Sequence, residues 1–283
     1  MRILEQEINT KVLRDALKED CGWSDRDKRM IEAILSEGEG GYLSVEYRRK
    51  DAGRWYAKGR AQLQNCKKQI RSRALKGMGY SVDLRAAFPS ILVGIGSEIA
   101  KTRATRMETI EIQRMIQDIT AWRSHRASEL GTSTAKVKRG VNAILFGMKY
   151  SKWRRSAQVD DGKRSIHFER LEKEVMKART LIADMEVREG RASASMKDTK
   201  ILSKTVEKIE EEITGFLSCR LAESGWRTST LIHDELIIKP SQCFTNHSDE
   251  LTMLTHGSTT ALRIFEESRG WPPGTLAMKI SSL

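Results

Sequence analysis

The chain has 283 residues, 39% of them hydrophobic and 31% charged, a composition that suits one sizeable folded domain or two small ones with a polar surface. No stretch of about 18 apolar residues occurs, which excludes a membrane-spanning helix, and the opening MRILEQEINTKVLRDALKED lacks the apolar core of a secretion signal. Lysine and arginine number 50 against 38 acidic residues, a formal net charge of +12, and such a basic excess favours a polyanionic partner, most commonly nucleic acid. The cations concentrate in the first half, in RRKDAGRWYAKGR, KKQIRSR, KVKR and KYSKWRR. Cys21, Cys66, Cys219 and Cys243 fall at no paired spacing and read as free thiols of a reducing compartment. That points to the cytoplasm, or to nucleoid or host cytoplasm for a virus- or phage-encoded chain, with no membrane partner.

In chain order, residues 1–35 read as two short helices parted near CGWSD, with Ser24 placed to cap the second. GEGGYLSVEYRR reads as a turn and a strand. YSVDLRAAF begins as a strand, after which Pro89 opens a helix. Residues 106–124 set Met107, Ile110, Met115, Ile119 and Trp122 near helical spacing, which predicts one helix. TSTAKVKRGVNAILFGMKY follows, with Thr132 or Ser133 as its cap. A long polar helix covers 166–189, GRASASMKDT breaks it, and Ile209, Ile213, Phe216 and Leu217 stripe the next helix. TSTLIHDELIIKP is strand-like, residues 247–268 are helical, and TLAMKISSL reads as an edge strand. With prolines only at 89, 240, 272 and 273, the order is that of an α+β protein without internal repeats.

Two strand segments carry acids where apolar residues would be expected: Asp83 in GYSVDL, and Asp234 with Glu235 in LIHDEL. An unpaired carboxylate is costly to desolvate. Asp83 and Asp234 are 151 positions apart, yet neighbouring strands would bring them to a shared pair of Mg²⁺ ions. Two such ions about 3.5–4 Å apart clamp the attacking and leaving oxygens of a phosphoryl transfer, and Mg²⁺ takes hard carboxylate oxygens. The residues alone allow another reading, in which Asp83 pairs with Arg85 and Asp234–Glu235 form a hairpin turn.

The surrounding stretches bear a wider likeness. Gly53-Arg54, then Gln62-Leu63-Gln64-Asn65, then Ile70-Arg71, then Asp83 keep the order of a segment of the family A DNA polymerases that leads into their palm strand. KRGVNAILFGM, with Lys138 followed eight residues later by Phe146 and Gly147, resembles the fingers helix of that family and of the related single-subunit phage-type RNA polymerases. IHDEL resembles the family's VHDEL, and SMKDT at 195–199 is a fainter echo of its PMQGT. Together the motifs span residues 53–236 and leave the first 40 residues unassigned.

The resemblance implies a right-hand polymerase core: a small antiparallel palm sheet, helical fingers and a reduced thumb. It places the thumb and N-terminal helices at 1–50, the first part of the palm at 51–95, the fingers at 96–165, and the second part of the palm with a helical insertion at 166–283. The implied activity is template-directed addition of deoxynucleotides to a primer 3′ end, without a proofreading domain. An RNA polymerase or primase, or a non-catalytic nucleic-acid-binding protein, are the alternatives. Asp83 and Asp234 would bind two Mg²⁺, with Mn²⁺ as substitute, Glu235 assisting and His233 near the primer end. Lys138 would meet the triphosphate, and Phe146 would stack on the nascent base pair, with Gly147 allowing close approach. Arg54, Gln64, Asn65 and Arg71 would touch primer and template, contacts that position a duplex without reading it.

Two departures shape this expectation. The family's Glu five residues after the palm Asp is Phe88 here, in DLRAAFPSI, a pattern closer to family B and reverse transcriptases. A ring at that place leaves no room for a 2′-hydroxyl, so Phe88 is expected to select dNTPs. The family's Arg four residues before the fingers Lys is Thr134, which leaves triphosphate contact to Lys136, Arg139 or another cation. A reduced thumb grips duplex poorly, so a processivity partner is expected.

Overall fold

The computed structural model describes residues 2–19, 22–49, 55–102, 107–232, 235–240 and 247–283. The chain runs β1 (Arg2–Glu7), α1 (Thr10–Lys18), α2 (Asp25–Glu37), β2 (Tyr42–Arg49), β3 (Trp55–Ala57), α3 (Lys68–Ala74) and β4 (Tyr80–Leu84). A helical run follows: α4 (Ala87–Thr102), α5 (Ile110–Gln117), α6 (Ile119–Leu130), α7 (Thr134–Leu145), α8 (Tyr150–Ser156), α9 (Ile166–Arg188) and α10 (Asp198–Glu223). The last elements are β5 (Trp226–Ile232), β6 (Glu235–Pro240), α11 (His247–Arg269) and β7 (Met278–Ser282). The class is α+β, as the element order predicts. Two compact units result: Met1–Arg85 with Glu211–Phe265 and Ala277–Leu283, and Ala86–Glu210 with Glu266–Leu276. The chain passes from the first unit to the second between Arg85 and Ala86, and α9 lies in the second, helical unit.

The first unit holds two antiparallel sheets, ordered β1-β2-β3 and β5-β6-β4-β7. The expectation that residues 1–35 are purely helical is corrected: RILEQE is a strand, paired to β2 from Arg2↔Tyr47 to Glu7↔Tyr42. Its charges mimic a helix surface, but the burial alternates with period two, Ile3 and Glu5 facing out and Gln6 facing in. Gln6 Nε2 donates to Tyr47 Oη at 2.6 Å, and Tyr47 Oη donates to the Leu231 carbonyl at 3.3 Å, which ties the two sheets together. Burial pushes the Tyr47 hydroxyl up to about 12.

Ser24 caps α2 through a reciprocal box with Asp27, as its position predicts. Asp27 also accepts from Lys67, so the same carboxylate pins α2 beside the start of α3. Lys67 and Ser24 hold the Asp27 carboxyl down to about 2. The apolar faces of α1 and α2, including Leu13, Ile31 and Ile34, share one core with Leu43 and Val45 of β2 and with Val82, Leu236 and Ile238 of the second sheet. Each fully buried aliphatic side chain there stabilises the fold by about 1.5–3 kcal/mol. On β4, Tyr80 and Val82 face this core, Leu84 is buried on the same pleat, and Tyr80 meets Trp226 edge-on at 5.9 Å. The opposite pleat therefore carries Ser81 and Asp83. Gly79 is required just before β4, because at φ 130° a Cβ would lie 2.3 Å from the Ile238 carbonyl oxygen.

In the second unit the single helix expected over 106–124 is two helices, and residues 103–106 lie outside the described residues. Asp118 leaves the helical backbone, ends α5, and caps α6 by accepting from the Ala121 N–H at 2.9 Å. A short carboxylate that can bond a nearby backbone N–H competes with helix continuation, which the apolar spacing does not register. Ser133 caps α7, bonding the Lys136 N–H. Phe168, Leu171, Val175, Ala178 and Ile182 stripe α9. Phe168 stacks on Trp153 at 4.8 Å and on Tyr150 at 5.2 Å. Gly140 of α7 lies against Trp153, where a Cβ would come within 2.4 Å of the indole, so only glycine lets α7 and α8 approach this closely.

Candidate functional site

The strand register builds one row of residues across the second sheet. Ile232 of β5 is the Cα partner of Glu235 on β6, Glu235 is the partner of Asp83 on β4, and Asp83 is the partner of Lys279 on β7. Cα partners project from the same face of a pleated sheet, so Glu235, Asp83 and Lys279 stand side by side. They line a cleft of about 460 Å³ together with Lys68, Arg71 and Ser281. Ser81, on the same pleat as Asp83, donates its hydroxyl to Glu235 Oε1. Arg71 Nη2 lies 3.8 Å from Glu235 Oε2, and its Nη1 donates to the Cys66 carbonyl. Glu235 is thus held from two sides, by a hydroxyl and by a guanidinium.

Among the residues expected at the nucleic acid, Gln64 is 3% exposed and its amide is fully used. Its Oε1 accepts from the Ala57 N–H at 2.9 Å, and its Nε2 donates to the Trp55 carbonyl at 2.8 Å and the Leu231 carbonyl at 3.4 Å. In this geometry Gln64 joins β3 to β5. Asn65 is exposed on the following position. Arg54, His233 and Asp234 lie outside the described residues, the last two between the end of β5 and the start of β6. Among the described residues no group of three His, Cys, Asp or Glu side chains forms a metal cluster. Asp83 and Glu235, adjacent across the ladder, offer hard oxygen donors of the kind that Mg²⁺ and Mn²⁺ take.

In the helical unit, Lys138 and Phe146 are both exposed, Phe146 at 58% where it caps the C-terminus of α7. At about 100° and 1.5 Å per residue, Phe146 lies about 80° round the axis from Lys138 and about 12 Å along it, and within about 20° of Arg139. Arg139 lines a groove with Lys136, Met148, Trp153 and Gln158. Phe88, on the first turn of α4, meets Phe146 edge-to-face with ring centroids 5.2 Å apart. Gly147 has φ 90°, and a Cβ there would lie 2.6 Å from Thr199 Cγ2 and 3.1 Å from Arg179 Nη1. Phe88, Phe146 and Gly147 are thus brought together, and Thr199 of the SMKDT stretch joins them.

Lys279 and Ser81 were not singled out by sequence reasoning. Ser81 carried a usable signal, since strand alternation puts it on the pleat of Asp83. Lys279 carried none, because only the pairing register reveals that the C-terminal strand meets β4. Thr199 was visible only through the weak likeness of SMKDT.

No protein-family model matches this sequence, and no curated protein does. Among solved structures, the POL domain of Pol1 from M. smegmatis, in complex with DNA primer-template and dNTP, matches with a TM-score of 0.58 and 13% identity. The match covers 90% of this chain and 50% of that one, so the chain spans about half the length of the structure it resembles. At this identity the likeness establishes the fold, a mixed α/β polymerase-type architecture with small antiparallel sheets. No helix among the described residues is long and apolar enough to cross a membrane.

Proposed function

We propose that the chain is a template-directed DNA polymerase that adds deoxynucleotides to a primer 3′ end by two-metal-ion nucleotidyl transfer. The single observation that supports this most is the ladder register Asp83↔Glu235 in a polymerase-type fold. Paired Cα atoms of antiparallel strands are about 4.5–5.5 Å apart, so Asp83 and Glu235, 152 positions apart in sequence, are close neighbours across the ladder.

In this reading Asp83 and Asp234 hold two Mg²⁺ ions, or Mn²⁺ in their place, which when bound polarise the phosphoryl oxygens as Lewis acids. Glu235, fixed by Ser81 and Arg71, keeps the end of β6 rigid against β4; strand-borne ligands hold tighter tolerances than loop-borne ones. Lys138 neutralises charge developing on the triphosphate, with Arg139 or Lys136 in the role that Thr134 cannot fill. Phe146 stacks on the nascent base pair, and Phe88 closes the space beneath the sugar, so the ring pair discriminates against ribonucleotides. Asn65, Arg71, Arg54 and His233 face the primer-template, and the net charge of +12 favours phosphate binding.

The test is primer extension with Mg²⁺ on DNA and RNA templates, with dNTPs or NTPs. Extension of a primed DNA template with dNTPs is expected. Synthesis from NTPs without a primer would replace this reading by that of a primase, and binding without synthesis would reduce it to a nucleic-acid-binding protein.

A further inference from the structure

Lys279 lies on β7, which pairs only with β4 among the described residues, so β7 is an edge of its sheet. Met278 and Ile280 turn inward against the core, and the alternation sends Lys279 and Ser281 to the face that carries Asp83 and Ser81. The Lys279 side chain is exposed in the carboxylate cleft and forms no ion pair with any described residue. A lysine whose task was to neutralise Asp83 or Glu235 would be bonded to one of them. Among the described residues the cleft lining sets three cations, Lys68, Arg71 and Lys279, around two carboxylates, Asp83 and Glu235. Of the three cations, Lys279 is the one that stands on the open edge strand of the sheet.

Resting on the polymerase reading, we infer that Lys279 is a substrate-binding residue that holds a backbone phosphate of the primer strand beside Asp83. The chemistry fits a phosphodiester. The ammonium is a compact cation with three donors on a flexible stem that reaches past the strand edge, and the adjacent Ser281 adds a hydroxyl. Lys68 and Arg71 continue the positive lining of the same cleft. Lys138 and Arg139, assigned to the triphosphate, belong to the other unit and are not among the residues that line this cleft.

The test measures binding of a labelled primer-template by fluorescence anisotropy across a salt series, for wild type, Lys279→Ala, Lys279→Arg and Lys11→Ala. Each phosphate contact contributes about 0.9 to the slope of log K against log salt. Lys279→Ala should weaken binding and reduce the slope by about that amount, while Lys279→Arg keeps it. Lys11, exposed on α1 and outside this cleft, reports the effect of net charge alone. A slope unchanged in Lys279→Ala, or changed equally in Lys11→Ala, overturns the inference and leaves the polymerase reading intact if wild type still extends primers. Wild type that fails to bind primer-template at any salt overturns both.

Discussion

Gly147→Ala should cost about 1–4.6 kcal/mol of stability, from a backbone and a packing contribution less a gain in the unfolded chain. At φ 90° the new side chain sits in the left-handed region, which disfavours an L residue by roughly 1–2 kcal/mol. Its Cβ would stand 2.6 Å from Thr199 Cγ2, where carbon atoms prefer about 3.5–4.0 Å. Relieving such overpacking costs about 1–3 kcal/mol. Against these stands a gain of about 0.4–1 kcal/mol from the stiffer unfolded chain. The two costs separate in a double-mutant cycle, because Thr199→Ser removes the clashing methyl and leaves the backbone strain. Urea unfolding followed by circular dichroism should show Thr199→Ser recovering about 1–3 kcal/mol in the Gly147→Ala background, after allowance for its own small cost. If the two substitutions add to within about 0.5 kcal/mol, the end of α7 does not approach Thr199 as described.

Three further expectations concern other parts of the molecule. Asp27, whose carboxyl is depressed from 3.8 to about 2, contributes stability that is present above the ordinary value and lost as pH falls through the folded one. Asp27→Asn should lower the melting temperature at neutral pH, with the difference closing as acid protonates the wild-type carboxyl; a constant difference would contradict the Lys67 and Ser24 contacts. Ser81→Ala removes the hydroxyl donated to Glu235 and should cost about 1–2 kcal/mol in urea unfolding, whereas an unchanged midpoint would mean that Glu235 is held by Arg71 alone. Phe88→Ala should raise ribonucleotide relative to deoxynucleotide incorporation in single-nucleotide extension, and an unchanged ratio removes Phe88 from sugar selection.

Much of the fold was legible because its signals are local. Ser24 and Ser133 stand where caps belong, the α9 stripe has helical period, and the strand-like run before Pro240 is rich in β-branched residues. The misread segments carry two periods at once. RILEQE satisfies both a charged helix surface and a strand alternation, and its pairing with β2, 40 positions away, decides between them. Asp118 interrupts a valid apolar spacing through one side-chain bond that no pattern of hydrophobicity records. The site divides along the same line. Asp83, Glu235, Phe146 and Gly147 stand in motifs, whereas Lys279 gains meaning only from a register between β4 and β7, nearly 200 positions apart in sequence. Gln64 shows the converse, a motif residue whose amide the folded backbone consumes.

The most direct measurement is single-nucleotide incorporation on a primed DNA template by wild type, Asp83→Asn and Asp234→Asn, each with its primer-template affinity determined in parallel. Convergence of the two aspartates on one magnesium-dependent centre predicts that both substitutions reduce incorporation to background while binding persists. Incorporation at the wild-type rate by either variant would contradict it.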